Sequence, residues 1–372
     1  MIYIAENING KSKIILNIIA ILIPSILAGG RADFIGTDVR GYVEPIQLFA
    51  NSSNNYFDFV NSKIILYSAG DFSRFEKGYT TLIYLCSRID KSISLNLFIT
   101  EFTIIGLTLL GLYRFKKNRK QFSVTLGMLI FYAIFYNLSL NMIRQSIAMA
   151  FVLLAFSYLL DNKLKKYLFL NVLAIFFHQT AIFGLVSFFI YIIINYQKKP
   201  YKNLSVTEKK KSRLVKSLVI IFIAAVVILS RSLLIRLVNI IGLSNIAGGY
   251  LINNTYGFSL SGILTRLPFI LLFIYCWSHM EENKFKYVYL TIISLDVLLL
   301  GLAQTSAYSS RLGWYTYVYY IYSVPDEIGY LRKDDRIVLK IALILFLIVY
   351  WYYFYVKLNY NETVPYVWGG LF

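Results

Sequence analysis

Long apolar runs, separated by short segments rich in Lys and Arg, recur along all 372 residues of the chain. Crossing a bilayer takes roughly 20 mostly apolar residues. Eleven runs are candidates: 14–30, 93–113, 121–140, 142–160, 166–178, 180–196, 216–235, 263–280, 287–307, 312–330 and 337–357. The fifth is short for a crossing, so it is expected to tilt or to pair with the sixth as a re-entrant element. Hydrophobic residues make up 58% of the chain, charged residues 15%, and the mean hydropathy is +0.61; soluble domains run nearer 25% charged. The expectation is an all-α polytopic membrane protein, a single integral domain over 1–372 with about eleven transmembrane helices. Lys11 and Lys13 before the first run, with Ala28-Gly29-Gly30 after it, imitate a signal peptide. Ten further runs favour an uncleaved first helix.

The sides of the membrane follow from where the cations fall. With Lys11 and Lys13 cytoplasmic, the same side receives Arg114 to Lys120, Lys163 to Lys166, the basic loop 197–216, Lys284 and Lys286, and Arg332 to Lys340. That side holds 24 of the 37 basic residues, and the N-terminus is expected inside, the C-terminus outside. The net charge of +18 is therefore a topology signal with some attraction to anionic headgroups, and a nucleic-acid partner is excluded. Residues 31–92 form a first outer loop too long for a mere connector. Its apolar stretches, Ile46 to Phe49 and Tyr79 to Leu85, suggest short interfacial helices. No internal repeat is visible.

Topology leaves a few charges unexplained. Outside the long loop and the tail residue Lys357, the outward cations are Arg144, Arg231, Arg236, Arg266 and Arg311, and Arg31 directly follows the first span. All are Arg, whose planar fork grips phosphate at two points where Lys offers a point charge. Snorkelling to the interface is the plain alternative for any one of them. Charges embedded at a membrane boundary also tend to mark a substrate path. Asn141, Arg144, Gln145 and Ala148 share one face of the fourth helix, where Asn and Gln could equally serve as glue between helices. His178 ends the fifth run on the outer side, either as a helix-end residue or as a catalyst. Asp38 could be a general base, a metal ligand or the cap of a short helix beginning at Val39. Glu101 and Asp296 lie within spans and could pair with the arginines or carry protons. Two His and two Cys argue against a metal site, and no Gly-rich loop calls for a nucleotide cofactor.

In this order, the residues resemble the EpsG family, a branch of the Wzy-type polysaccharide polymerases. The resemblance rests on Arg31…Gly36-Thr37-Asp38…Tyr42, Glu76-Lys77-Gly78-Tyr79, Asn141-Met142-Ile143-Arg144-Gln145-Ser146-Ile147-Ala148 and Phe177-His178-Gln179-Thr180-Ala181, with Arg311 in the late outward region. It is densest over 31–185. It implies a GT-C-like glycosyltransferase at the outer face of the bacterial cytoplasmic membrane, acting on oligosaccharide repeat units carried by undecaprenyl pyrophosphate, for capsule, O-antigen or exopolysaccharide. A flippase and a chain-length regulator would be partners; neither a cofactor nor a metal is implied. An anionic pyrophosphate leaving group would be held by Arg31, Arg144, Arg231, Arg266 and Arg311. The acceptor hydroxyl would lose its proton to Asp38, His178 or Glu76. Tyr42, Tyr79, Tyr308 and Trp314 could stack on sugars, although an aromatic belt accounts for them as well. An O-antigen ligase, another outer-face transferase, or a lipid-linked sugar transporter using Glu101 and Asp296 are the competing readings.

Overall fold

The computed structural model describes residues 1–62, 65–66, 70–159, 161–195, 205, 207, 260–280, 285–303 and 307–370. The expected run 216–235, with Arg231 and Arg236, and nearly all of the basic loop 197–216 lie outside the described residues. Apart from the paired two-residue strands Ile65–Leu66 and Gly70–Asp71, the regular elements among the described residues are helical.

Among the described residues, four helices are long and apolar enough to cross a membrane: Lys11–Gly29, Ser94–Lys117, Leu260–Met280 and Lys333–Lys357. Val124–Ser139 and Ile143–Leu159 are apolar but shorter, and Leu164–Phe177 follows them. The expected run 312–330 differs from its sequence reading. It is two helices, Ala307–Tyr317 and Tyr320–Gly329, joined by a tight turn in which Tyr319 N–H reaches Thr316 and Ile321 N–H reaches Val318. No Gly or Pro marks that break. Aromatic packing sets it, because Tyr320 stacks on Phe269 at 4.8 Å and the Tyr319 hydroxyl meets Ser187 at 2.7 Å.

The chain divides into two compact units. The first comprises Met1–Ile182 and Arg332–Phe372, the second Phe183–Leu331. In the first, Lys11–Gly29 (α1) runs antiparallel to Ser94–Lys117 (α2). Gly29 abuts Ser94 and Phe98 at one end, while Lys13 and Asn17 meet Tyr113 at the other. Packed against α2 is Ile143–Leu159 (α3), followed by Leu164–Phe177 (α4). Lys333–Lys357 (α5) carries Val338, Ile341, Leu345, Ile348 and Val349 exposed. Such a row on a 25-residue helix suits contact with acyl chains rather than water.

Charges sort to the two ends of this unit. At the end holding the start of α1, Glu6 pairs with Lys116 at 2.6 Å, and Asp161 with Arg114 at 2.9 Å and Lys163 at 3.3 Å. At the other end the loop 31–92 forms the short helices Glu44–Ser52, Tyr56–Asn61 and Lys77–Ser87, as its apolar stretches suggest. Pro45 starts the first of them, where its missing N–H costs nothing, and the Asn55 side chain caps the second. Their core is aromatic: Phe59 contacts Phe49, Phe72 and Tyr84 with ring centroids 5.1–5.2 Å apart.

In the second unit, Leu260–Cys276 packs beside Tyr320–Gly329, and Lys286–Ala303 beside Ala307–Tyr317.

Candidate active site

Four stretches converge at the loop end of the first unit. Arg31 leaves α1 and turns inward, 4% exposed, where its Nη1 donates to the Leu140 carbonyl at 2.5 Å. Gly36 then adopts φ +93, a left-handed conformation that side chains resist. A Cβ at Gly36 would also lie 3.2 Å from Asn141 Oδ1. That Oδ1 accepts from the Thr37 hydroxyl at 3.0 Å and from Asp38 N–H at 3.2 Å. The Asp38 carboxylate then accepts from Tyr42 OH at 2.5 Å and from Ile143 N–H at 3.2 Å. Asp38 thus caps a helix, but not the one beginning at Val39, where it makes no cap bond. It caps α3, more than a hundred residues away, with its charge at the positive end of that helix.

Arg144 stands one residue further into α3. Its guanidinium packs over two contacting rings, 4.5 Å from the Tyr42 centroid and 4.6 Å from Phe75, and Nη1 forms an ion pair with Glu76. Its Nε is buried without an acceptor, as is that of Arg31. Native structures leave few such donors unpaired. Burial, together with the charge of Asp38, pushes the Tyr42 hydroxyl well above its ordinary pKa. It therefore stays protonated and keeps donating to Asp38.

Glu76 is also held from a second side. Its other oxygen accepts Gln179 N–H at 3.0 Å. Glu76 comes this close because Gly78 lies against α4, where a Cβ would meet the Phe176 carbonyl oxygen at 2.5 Å. His178 ends α4 and is 7% exposed. Its Nδ1 is 2.5 Å from the Thr180 hydroxyl and accepts Thr180 N–H at 3.3 Å, which places the ring proton of neutral His178 on Nε2.

Asp38, Glu76, His178, Arg31 and Arg144 are thus brought to one end of one unit, although they come from four segments of the chain. Arg266 and Arg311 belong to the second unit. Arg266 pairs with the fully buried Asp296 at 3.3 Å and covers the Tyr317 ring at 3.7 Å, the pairing that Asp296 suggested from the sequence. Arg311 is exposed on Ala307–Tyr317. Glu101, in contrast, receives the Ser139 hydroxyl at 2.9 Å. Tyr42 and Tyr79 are 5% and 0% exposed, so neither offers a face to a sugar. Their rings are core.

Sequence reasoning missed the C-terminal segment. Glu362 accepts Gly36 N–H at 3.3 Å and pairs with Arg40 at 2.8 Å, and Asn361 Oδ1 accepts from Asn141 Nδ2 at 3.2 Å. Beyond them Trp368 bridges to Arg31, with Ala32 N–H donating to the Val367 carbonyl at 2.9 Å. The only sequence signal was the polar run Asn359-Tyr360-Asn361-Glu362 after the last apolar stretch.

The EpsG family model matches residues 14–368. No curated protein and no solved structure matches the chain.

Proposed function

Since the chain belongs to the EpsG family of Wzy-type polysaccharide polymerases, we propose that it joins oligosaccharide repeat units carried on undecaprenyl pyrophosphate at the outer face of the bacterial cytoplasmic membrane. The product is a capsule, O-antigen or exopolysaccharide chain. On this reading about eleven crossings make a GT-C-like body, with the Lys-rich end of the first unit cytoplasmic and the loop end outside. A flippase would deliver the units and a regulator would set chain length.

The observation that carries the reading is the clamped Arg144 with its unpaired Nε, linked to Asp38 through Tyr42. Pyrophosphate departs with growing negative charge, and a guanidinium fixed in advance lowers the barrier without reorganising. Arg31 contributes the second buried Nε–H. An acceptor hydroxyl oxygen attacks the anomeric carbon, forming the new C–O bond, while the bond to pyrophosphate breaks and its electrons leave with the lipid. The hydroxyl proton goes to the Asp38 carboxylate, which the Tyr42 and Ile143 donors hold in place. Glu76 serves as the counter-ion of Arg144, and His178 as the end of α4 beside Glu76.

The test is a reaction of purified protein with lipid-linked repeat units, read as a polymer ladder on a gel. Wild type yields the ladder, Asp38→Asn abolishes it, and His178→Gln retains at least about a third of the rate; the loss of one general base is worth ~10²–10⁴-fold. No ladder, with lipid-linked sugar moved across a proteoliposome instead, would replace this reading by transport. An inactive His178→Gln beside an active Asp38→Asn would move the base to His178.

A further inference from the structure

Resting on that reading, we propose that Asn361 and Glu362 in the C-terminal segment are positioning residues, holding the Gly36–Asp38 turn so that the Asp38 carboxylate stays in reach of the acceptor hydroxyl. Neither touches Asp38. Asn361 fixes the amide of Asn141, whose Oδ1 takes both the Thr37 hydroxyl and the Asp38 N–H. Glu362 takes the N–H of Gly36, two residues before Asp38, and is tied to Arg40, two residues after it. The turn is therefore gripped before, at and beyond the carboxylate by a segment that contributes no reacting group.

The backbone of that segment shows that these contacts are specific. Asn359, Asn361 and Glu362 have φ of 49, 70 and 57, the left-handed region. Asn enters it readily, whereas Glu does so only where its surroundings require it. At Glu362 the requirement is visible, because both carboxylate oxygens are engaged by the turn, one by Gly36 N–H and one by Arg40. A plain tether would be satisfied further along, where Tyr366 OH donates to the Leu27 carbonyl at 2.8 Å and Gly369 N–H donates to Gly30 at 2.8 Å. Those bonds hold the tail without touching the turn.

A displacement of about 1 Å in a reacting group can cost on the order of 10²-fold in rate. Glu362→Ala and Asn361→Ala are therefore expected to lower kcat by ~10-fold or more and to leave KM for the lipid-linked unit within about 2-fold. Glu362→Gln keeps an acceptor for Gly36 N–H and should recover most of the rate. In the alanine variants Asp38 would slip from Ile143 N–H and Tyr42 OH, and a carboxylate losing such donors titrates higher. The acid limb of the pH–rate profile should accordingly move to higher pH, a change that mere loosening of the tail would not produce.

Tyr366→Phe is the control, removing one tail hydrogen bond away from the turn; it should match wild type in rate. All variants are assayed on full-length protein in detergent or proteoliposomes after fluorescence-detected size-exclusion chromatography. If Asn361→Ala does not accumulate, Glu362→Ala, at a part-exposed position, carries the test. Wild-type rates in the alanine variants beside a dead Asp38→Asn would overturn the positioning role and leave the polymerase reading standing. So would equal loss in Tyr366→Phe, or an unmoved acid limb. An inactive wild type that transports lipid-linked sugar would instead overturn the reading on which the role rests.

Discussion

Arg144 shows how a single side chain can be specified by shape as much as by charge. Its guanidinium packs across both Tyr42 and Phe75, whose rings touch each other with centroids 5.3 Å apart, while Glu76 fixes its edge. A Lys ammonium would keep the ion pair and lose both flat contacts and the Nε–H donor. Arg144→Lys is therefore expected to be nearly as inactive as Arg144→Ala, each down on the order of 10²-fold in ladder formation, with insertion unchanged by size-exclusion profile. Normal polymer from the Lys variant would remove the two-point grip on phosphate from the mechanism. At this scale the sequence was informative about residue types. Arg on the side where topology disfavours cations, and an Asp just past the first span, were both visible. What Asp38 binds was not, because Ile143 and Asn141 are neighbours only after α3 has docked. Nor could the sequence show that Tyr42 faces inward, since a Tyr in an outer segment reads as belt until its partners are known.

Among the elements, the runs of apolar residues marked most helices to within a few positions, because chain length across a bilayer is a coarse and strong constraint. Local chemistry did not mark the break inside 312–330, which tertiary aromatic contacts impose. Another such contact lies at the Lys-rich end. Glu6, in the short helix Ile2–Asn7, accepts Val124 N–H at 2.9 Å, Thr125 N–H at 2.8 Å and the Thr125 hydroxyl at 2.5 Å, besides Lys116. It caps Val124–Ser139 from outside, together with the Ser123 side chain. Burial alone would raise the Glu6 carboxyl, yet Lys116 and these donors outweigh it, and its pKa falls below the ordinary 4.5. A carboxylate lowered on folding adds stability above its unfolded pKa and loses it as pH falls through the folded value. Glu6→Gln should thus destabilise by about 1 kcal/mol at pH 7. In thermal melts the gap from wild type should close as the pH is taken from about 5 to below 4. A gap that persists undiminished in acid would mean that Glu6 acts by packing rather than by charge.

For the whole molecule, the segregation of cations is the property most readily checked in cells. The orientation proposed here puts Tyr366 outside and Lys117 inside. The two natural cysteines, Cys86 and Cys276, are buried, so their background reaction with a membrane-impermeant maleimide should be low. Tyr366→Cys should label in intact cells and Lys117→Cys only after permeabilisation; the reverse pattern would invert the topology and move the site to the cytoplasm. That proposed sidedness rests on Lys and Arg counts alone, because it depends on composition between spans and not on any contact. The closure of the loop end by the tail was not legible, since pairing across the length of a chain leaves no local mark. It does set a timetable. Gly36 and Glu362 are 326 residues apart, and ribosomes add about 5–20 residues per second. The first outer loop thus waits roughly 16 to 65 s at that pace for the residues that finish it. On the positioning role proposed for the tail, a nascent chain already threaded into the bilayer lacks its full rate throughout that interval. Prematurely terminated copies would lack it too, and on the polymerase reading proposed above would draw little on the cell's supply of lipid carrier.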